Sequence, residues 1–242
     1  MRKTMQGFVS CLLVISSLVA SHAQTIFPRG ASASSDAKAP DPIERLSDTV
    51  LRIGAIRVDT AKREASIPGR VNNTTVLEFI ANTQRGFRAY ESAFELETNG
   101  ISFNLAMIMI GLDKANAVPS TRHFDPNPPG GDPVEVWVEW KAGKETKRVR
   151  AEELLWDKEK NERFTQNPWV YTGSVVLPDG RYLADQDAVL IGFVHDPASI
   201  IEWTGKNGVG RFGYIQIDPK IGLNPLTPIT VIVRAIARSA KN

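Results

Sequence analysis

Cysteine is almost absent from this chain: one residue, Cys11, in 242. It lies in a segment that reads as an export signal. Arg2 and Lys3 form a positive start, Phe8 to Ala20 an apolar stretch, and Ser21-His22-Ala23 places small residues where a signal peptidase cuts. Cleavage is expected after Ala23, which leaves a mature chain without cysteine. A disulfide framework, a thiol nucleophile, an iron–sulfur cluster and covalently attached haem are then all excluded. Cys11 also sits too early to be a lipoprotein cysteine.

Histidine is scarce as well. Of the three, His22 leaves with the signal, so His123 and His195 cannot build a three-histidine zinc site from one chain. A surplus of one charge is missing too. The signal carries two of the 29 basic residues and none of the 27 acidic ones, which leaves 27 of each. No basic surface of the kind that nucleic acid or anionic lipid requires is expected. Long hydrophobic runs are lacking: about 13 apolar residues in the signal fall short of the roughly 20 that span a bilayer, so no membrane span is expected after cleavage.

What is present describes one globular domain. Residues 24–41, rich in Ala and Ser, read as a flexible tether, and residues 42–242 as a single domain. Asp41-Pro42-Ile43-Glu44 resembles a helix start, with Ile43, Leu46 and Val50 at helical spacing, and predicts a short N-terminal helix. Most of the body is strand-like. Ile53 to Asp59 and Glu64 to Val71 suit a hairpin, and Thr75 to Asn82 with Phe87 to Leu96 suit another around Arg85-Gly86. Val134 to Lys141 alternates most clearly, with Val134, Val136, Val138 and Trp140 on one face. A return strand through Ala142-Gly143 would set Arg148 opposite Trp137 and Arg150 opposite Glu135. Pro178-Asp179-Gly180 marks a further turn. Residues 101–112, ISFNLAMIMIGL, are apolar on nearly every side and predict a helix buried in the core. The expected class is therefore α+β: predominantly antiparallel sheet, one buried apolar helix and a short N-terminal one.

No motif declares a reaction. Gly208 to Gly213 matches GxGxxG, but a strand pattern and a proline follow where a dinucleotide site needs a helix. His123 with Asp125, His195 with Asp196, and Asp185 with Asp187 are each compatible with metal binding or acid/base work, but an ordinary structural or solvated polar role is the default for each. The loop Val118 to Pro133 holds five prolines in sixteen residues and must be a defined excursion. Trp137 and Trp169 are candidate aromatic platforms for a ligand. In RAYESAFEL, residues 88–96, strand alternation puts Tyr90, Ser92, Phe94 and Leu96 on an inner face and Glu91 and Glu95 on the other. Glu91, Ser92 and His195 are the candidates for catalysis, and Tyr90, Glu91, Trp137 and Trp169 for ligand or partner binding. No cofactor or metal is assigned.

Several segments taken in order carry a resemblance: Ile56-Arg57-Val58-Asp59, Ile67-Pro68-Gly69-Arg70-Val71, Tyr90-Glu91-Ser92, LAMIMIGL, VEVWVEW, and Asn167 to Ser174 followed by Tyr182-Leu183-Ala184-Asp185. Together they resemble the YdjY-domain proteins, a bacterial group that is often exported. The resemblance covers about residues 52 to 236 and implies a single extracytoplasmic domain with its activity left open. Some relatives carry cysteine clusters and are described as ferredoxin-like; without mature cysteine, that redox role does not transfer. Three functions remain: a non-catalytic periplasmic or secreted module that binds an envelope protein or small ligand, which is the favoured one, a hydrolase using Glu91 as acid/base, and a redox accessory holding a non-covalent cofactor.

Overall fold

The computed structural model describes residues 39–206 and 212–237. The expected signal, most of the tether and the first two glycines of GxGxxG lie outside them. The strands, in chain order, are β1 (Ile43–Arg45), β2 (Val50–Ile53), β3 (Ile56–Asp59), β4 (Glu64–Val71), β5 (Phe79–Asn82) and β6 (Ser92–Leu96). After helix α1 (Gly100–Met109) come β7 (Asp132–Ala142), β8 (Glu145–Arg150), β9 (Leu155–Asp157), β10 (Glu162–Arg163) and β11 (Trp169–Tyr171). Helix α2 (Leu183–Gln186) precedes β12 (Val189–Gly192), β13 (Ile201–Trp203), β14 (Ile215–Ile217) and β15 (Pro228–Ala235).

Eight of these strands close on themselves. The order β4-β15-β7-β11-β13-β12-β5-β6 returns to β4 because β4 also pairs with β6. Strands β3, β2 and β1 extend outward from β4, β8 adds to β7, and β10-β9-β14 form a small separate sheet. The seam is Ile67-Pro68-Gly69-Arg70-Val71. Residues 64–66 of β4 pair with β3, and residues 69–71 on the same edge pair with β6. Pro68 sits at the changeover, where its missing N–H breaks the ladder without loss. At Gly69 a Cβ would stand 2.4 Å from the Glu95 carbonyl oxygen, so closure requires glycine there.

Strand alternation fills the barrel. Ile67, Val231 and Val138 lie in register as one fully buried row, and Ala65, Val233 and Val136 form the next. On the outer face the same register aligns Glu64, Arg234 and Glu135, and Arg234 bonds Glu64 at 2.7 Å. The alternation read from Val134 to Trp140 thus matches the observed burial.

The expected fold class is corrected: the chain is a mainly β protein built on a closed barrel, with little helix. Periodicity shows which face of a strand is buried but not that the sheet closes, since closure rests on strand pairs far apart in sequence. The helix expected at 101–112 forms at α1, capped by the Asn99 side chain on the Ser102 N–H at 2.8 Å and by Asp185 on the Gly100 and Ile101 N–H groups. It is not enclosed, however. Phe103, Ala106 and Met107 are buried, whereas Ile108 on the opposite side is 47% exposed. The short N-terminal helix does not form: Ile43–Arg45 is an edge strand paired antiparallel with β2, because backbone bonds to a neighbouring strand outweigh a weak local helical preference.

Two turns also differ. The residues 75–96 are not a hairpin: β5 and β6 are parallel, and a 3-10 turn at Phe87–Tyr90 helps carry the chain back to the starting end. The β7–β8 loop is Gly143-Lys144, with Gly143 at φ 65°, so the register moves by two and pairs Trp137 with Arg150 and Glu139 with Arg148. No helix of the described residues is long and apolar enough to cross a membrane.

Candidate functional site

At one barrel end β5 and β6 begin and β12 finishes, since Phe79 pairs with both Ser92 and Gly192. Glu78 and Glu91 precede the first two strands, and His195-Asp196 follow the third. The proline-rich loop reaches the same place and delivers Ser120, His123 and Asp125.

His123 is the hinge of the cluster. Its Nδ1 lies 2.6 Å from an Asp196 carboxylate oxygen and its Nε2 lies 3.2 Å from Glu78. Both carboxylates are nearly fully buried, and their hydrogen bonds, that of Asp196 foremost, raise the imidazole to about 9. His123 is therefore an imidazolium at neutral pH with both nitrogens engaged, which leaves none to accept a proton. Phe124 packs against it, tilted by 50° with 4.1 Å between centroids.

The loop is tied down at two more points. Ser120 donates its N–H, at 3.3 Å, and its hydroxyl to Glu202, which also receives the Asp196 N–H at 3.1 Å. Glu202 is fully buried on β13, and that burial pushes its carboxyl up to about 7 despite these donors. Asp125 accepts the Thr121 hydroxyl at 2.6 Å and the N–H groups of Thr121 and Asn127. Those bonds hold its carboxyl far below the usual range. Its backbone carbonyl takes the His195 Nδ1–H at 2.7 Å, and His195 Nε2, also buried, meets no partner.

The 3-10 turn completes the site. Arg88 ion-pairs with Glu91, and its guanidinium lies 5.5 Å from the Phe79 ring and 5.4 Å from Phe87. Phe87 and Tyr90, three residues apart and hence on one side of the turn, are 58% and 59% exposed.

The candidate residues fare differently. Tyr90, Glu91, Ser92 and His195 gather at this barrel end. The strand begins only at Ser92, so the alternation expected through Tyr90 fails: Tyr90 is exposed on the turn and Glu91 is buried. Ser92 is fully buried and its hydroxyl has no partner, so no base stands ready to activate it. Trp137 and Trp169 lie elsewhere. Trp137 is covered by the Arg148 and Arg150 guanidinium groups at 4.9 and 5.1 Å and donates to Glu135. Trp169 is fully buried against Trp203 and donates to Glu152 at 2.8 Å, offering no surface to a ligand. Asp185 caps α1 and is separated from Asp187 in role.

Glu78, Arg88 and Glu202 escaped the sequence reading. For the two glutamates the signal was a carboxylate inside an apolar run, Leu77-Glu78-Phe79-Ile80 and Ile200-Ile201-Glu202-Trp203, which marks a buried charge that needs a partner; Arg88 carried no such signal. Among the described residues no group of three or more histidines or carboxylates is arranged to hold a metal ion. Two open clefts, one lined by Arg70, Gln84, Arg85, Glu95 and Glu97 and a neighbour sharing Gln84 and Glu97, include none of the groups gathered around His123. Hydrogen-bond partners and burial, rather than surface concavity, single out the His123 cluster.

A family model described as the YdjY domain matches residues 56–181, just over half of the chain. The chain belongs to the YdjY-domain family. No curated protein and no solved structure matches it. The matched span of the YdjY domain contains the seam, Glu78, the Arg88–Glu91 turn and His123. Asp187, His195, Asp196 and Glu202 come from the chain beyond it.

Proposed function

We propose that this YdjY domain is an exported, non-catalytic module that binds a polypeptide partner in the cell envelope. The supporting observation is a division of labour at the barrel end. Glu91 is engaged with Arg88 and His123 with both Glu78 and Asp196, while His195, whose Nε2 has no partner, is buried. Two largely exposed aromatic rings, Phe87 and Tyr90, stand beside them, with Arg88 packed near Phe87 and within reach of the Tyr90 side chain. Phe and Tyr on one turn, tied by the Arg88–Glu91 ion pair, supply contact area at little entropic cost, as aromatic interface anchors do.

The test is in-cell crosslinking from a photoreactive residue at position 87. One stoichiometric adduct is expected, and it should vanish when Tyr90→Ala accompanies the probe. Hydrolysis of generic esters or glycosides by the purified protein, with the rate lost in Glu91→Gln, would instead establish the hydrolase reading. Export is tested by the N-terminus of the envelope-fraction protein, expected at Gln24.

A further inference from the structure

The turn that carries Phe87 and Tyr90 has a neighbour with an unanswered charge. Asp187 follows α2, and Ala188 after it contacts the start of the turn: the Ala188 carbonyl accepts the Thr83 N–H at 3.1 Å, and a Cβ on Gly86 would stand 2.8 Å from the Ala188 Cβ. Asp187 is half-buried, yet its carboxylate makes no hydrogen bond or ion pair with any described residue. Every other carboxylate of the cluster has a donor: Glu91 has Arg88, Glu78 and Asp196 share His123, and Glu202 has Ser120. Glu78, Glu91, Asp187 and Asp196 face two cations, Arg88 and His123, so the end of the barrel holds an excess of negative charge beside its exposed rings.

We infer that this place receives a lysine or arginine side chain of an extended polypeptide, its cation on Asp187 and its methylene stem along Phe87 and Tyr90; the inference rests on the binding-module reading above. Three physical arguments converge. An exposed aromatic face attracts a cation, as the Arg88 guanidinium 5.4 Å from the Phe87 ring already illustrates within the chain. A long basic side chain suits exposed rings with a carboxylate close to their turn, because it lays down its stem while keeping its head charged. The Asp187 carboxylate is half-buried and has no direct donor among the described residues, so a partner's cation can replace its water with a charge-assisted bond. Burial first, and then the nearby Asp196 charge, push the Asp187 carboxyl above its ordinary range, although Arg88 and His123 oppose this. An acidic peptide would meet the opposite of what the site offers.

The test uses the full mature chain and two fluorescent decapeptides, one with three lysines and one with three glutamates in the same Gly/Ser frame, followed by anisotropy. The lysine peptide should bind at least about tenfold more tightly than the glutamate peptide. Asp187→Asn should weaken it about tenfold, the effect of losing one partly desolvated charge pair, and Asp187→Glu should recover most of the loss. Asp48→Asn, at a remote exposed carboxylate, should change nothing. Phe87→Ala/Tyr90→Ala should also abolish the preference. Equal binding of both peptides, or full binding by Asp187→Asn, overturns the inference. So does lysine amide alone binding as tightly as the peptide, which would make the site a small-amine receptor. If neither peptide binds while the crosslinker at position 87 still captures a partner, the cation assignment falls and the module reading stands; if both fail, both fall.

Discussion

Replacing His123 by glutamine isolates the charge that joins the proline-rich loop to the barrel. In the folded chain the imidazole is raised from 6.5 to about 9 by its bonds to Asp196 and Glu78. A group raised on folding stabilises fully below its unfolded value, and that contribution is lost as pH climbs through the folded one. The window is therefore about pH 6.5 to 9. The rise corresponds to roughly 3 kcal/mol at about 1.4 kcal/mol per pH unit, but the side chain is 38% exposed and solvent screening reduces the figure to about 1–2 kcal/mol. Glutamine keeps a donor but no charge, and leaves Glu78 and Asp196 facing each other. Urea unfolding followed by tryptophan fluorescence should show the variant less stable than the parent by about 1–2 kcal/mol at pH 6, a drop of several degrees in Tm for a chain of this size. Near pH 10 the two should converge. A gap of the same size at both pH values would refute the reasoning, because the loss would then be packing rather than charge.

Glu202 has its carboxyl raised to about 7 by complete burial, so wild-type stability from this group declines between about pH 4.5 and 7. Glu202→Gln should match the parent near pH 4 and exceed it by about 1–2 kcal/mol at pH 8, measured by the same urea titration; lower stability at pH 8 would mean that the Ser120 bonds to the carboxylate dominate. At the seam, Gly69→Ala should destabilise by about 2 kcal/mol or more, since its Cβ must displace the Glu95 backbone. Hydrogen exchange should localise the effect to β4 and β6, and uniform weakening would count against closure at this point.

The site was only half legible in the sequence, for a reason visible in RAYESAFEL. Period-two alternation assumes an unbroken strand. Residues 87–90 form a 3-10 turn instead, so the phase assigned to Tyr90 and Glu91 inverted while Phe94 and Leu96, inside β6, kept theirs. His123 with Asp125 and His195 with Asp196 were read as neighbours in sequence. In space His123 joins Asp196, and His195 joins the carbonyl of Asp125, so the partners are exchanged. Local spacing identified the right residues but could not pair them.

The sequence by itself determined the scarcity of sulfur and histidine, the balance of charge, the positions of most strands and the buried faces of the long ones, because these depend on composition and on a two-residue period. The tertiary structure alone decided that β4 closes on β6, that β5 and β6 run parallel, and that the second helical signal becomes an open-sided α1. It also decided which carboxylate each cation meets and that Asp187 is left over. Those outcomes depend on pairings between residues up to a hundred or more positions apart, whose energies outweigh local preference and leave no periodic trace along the chain.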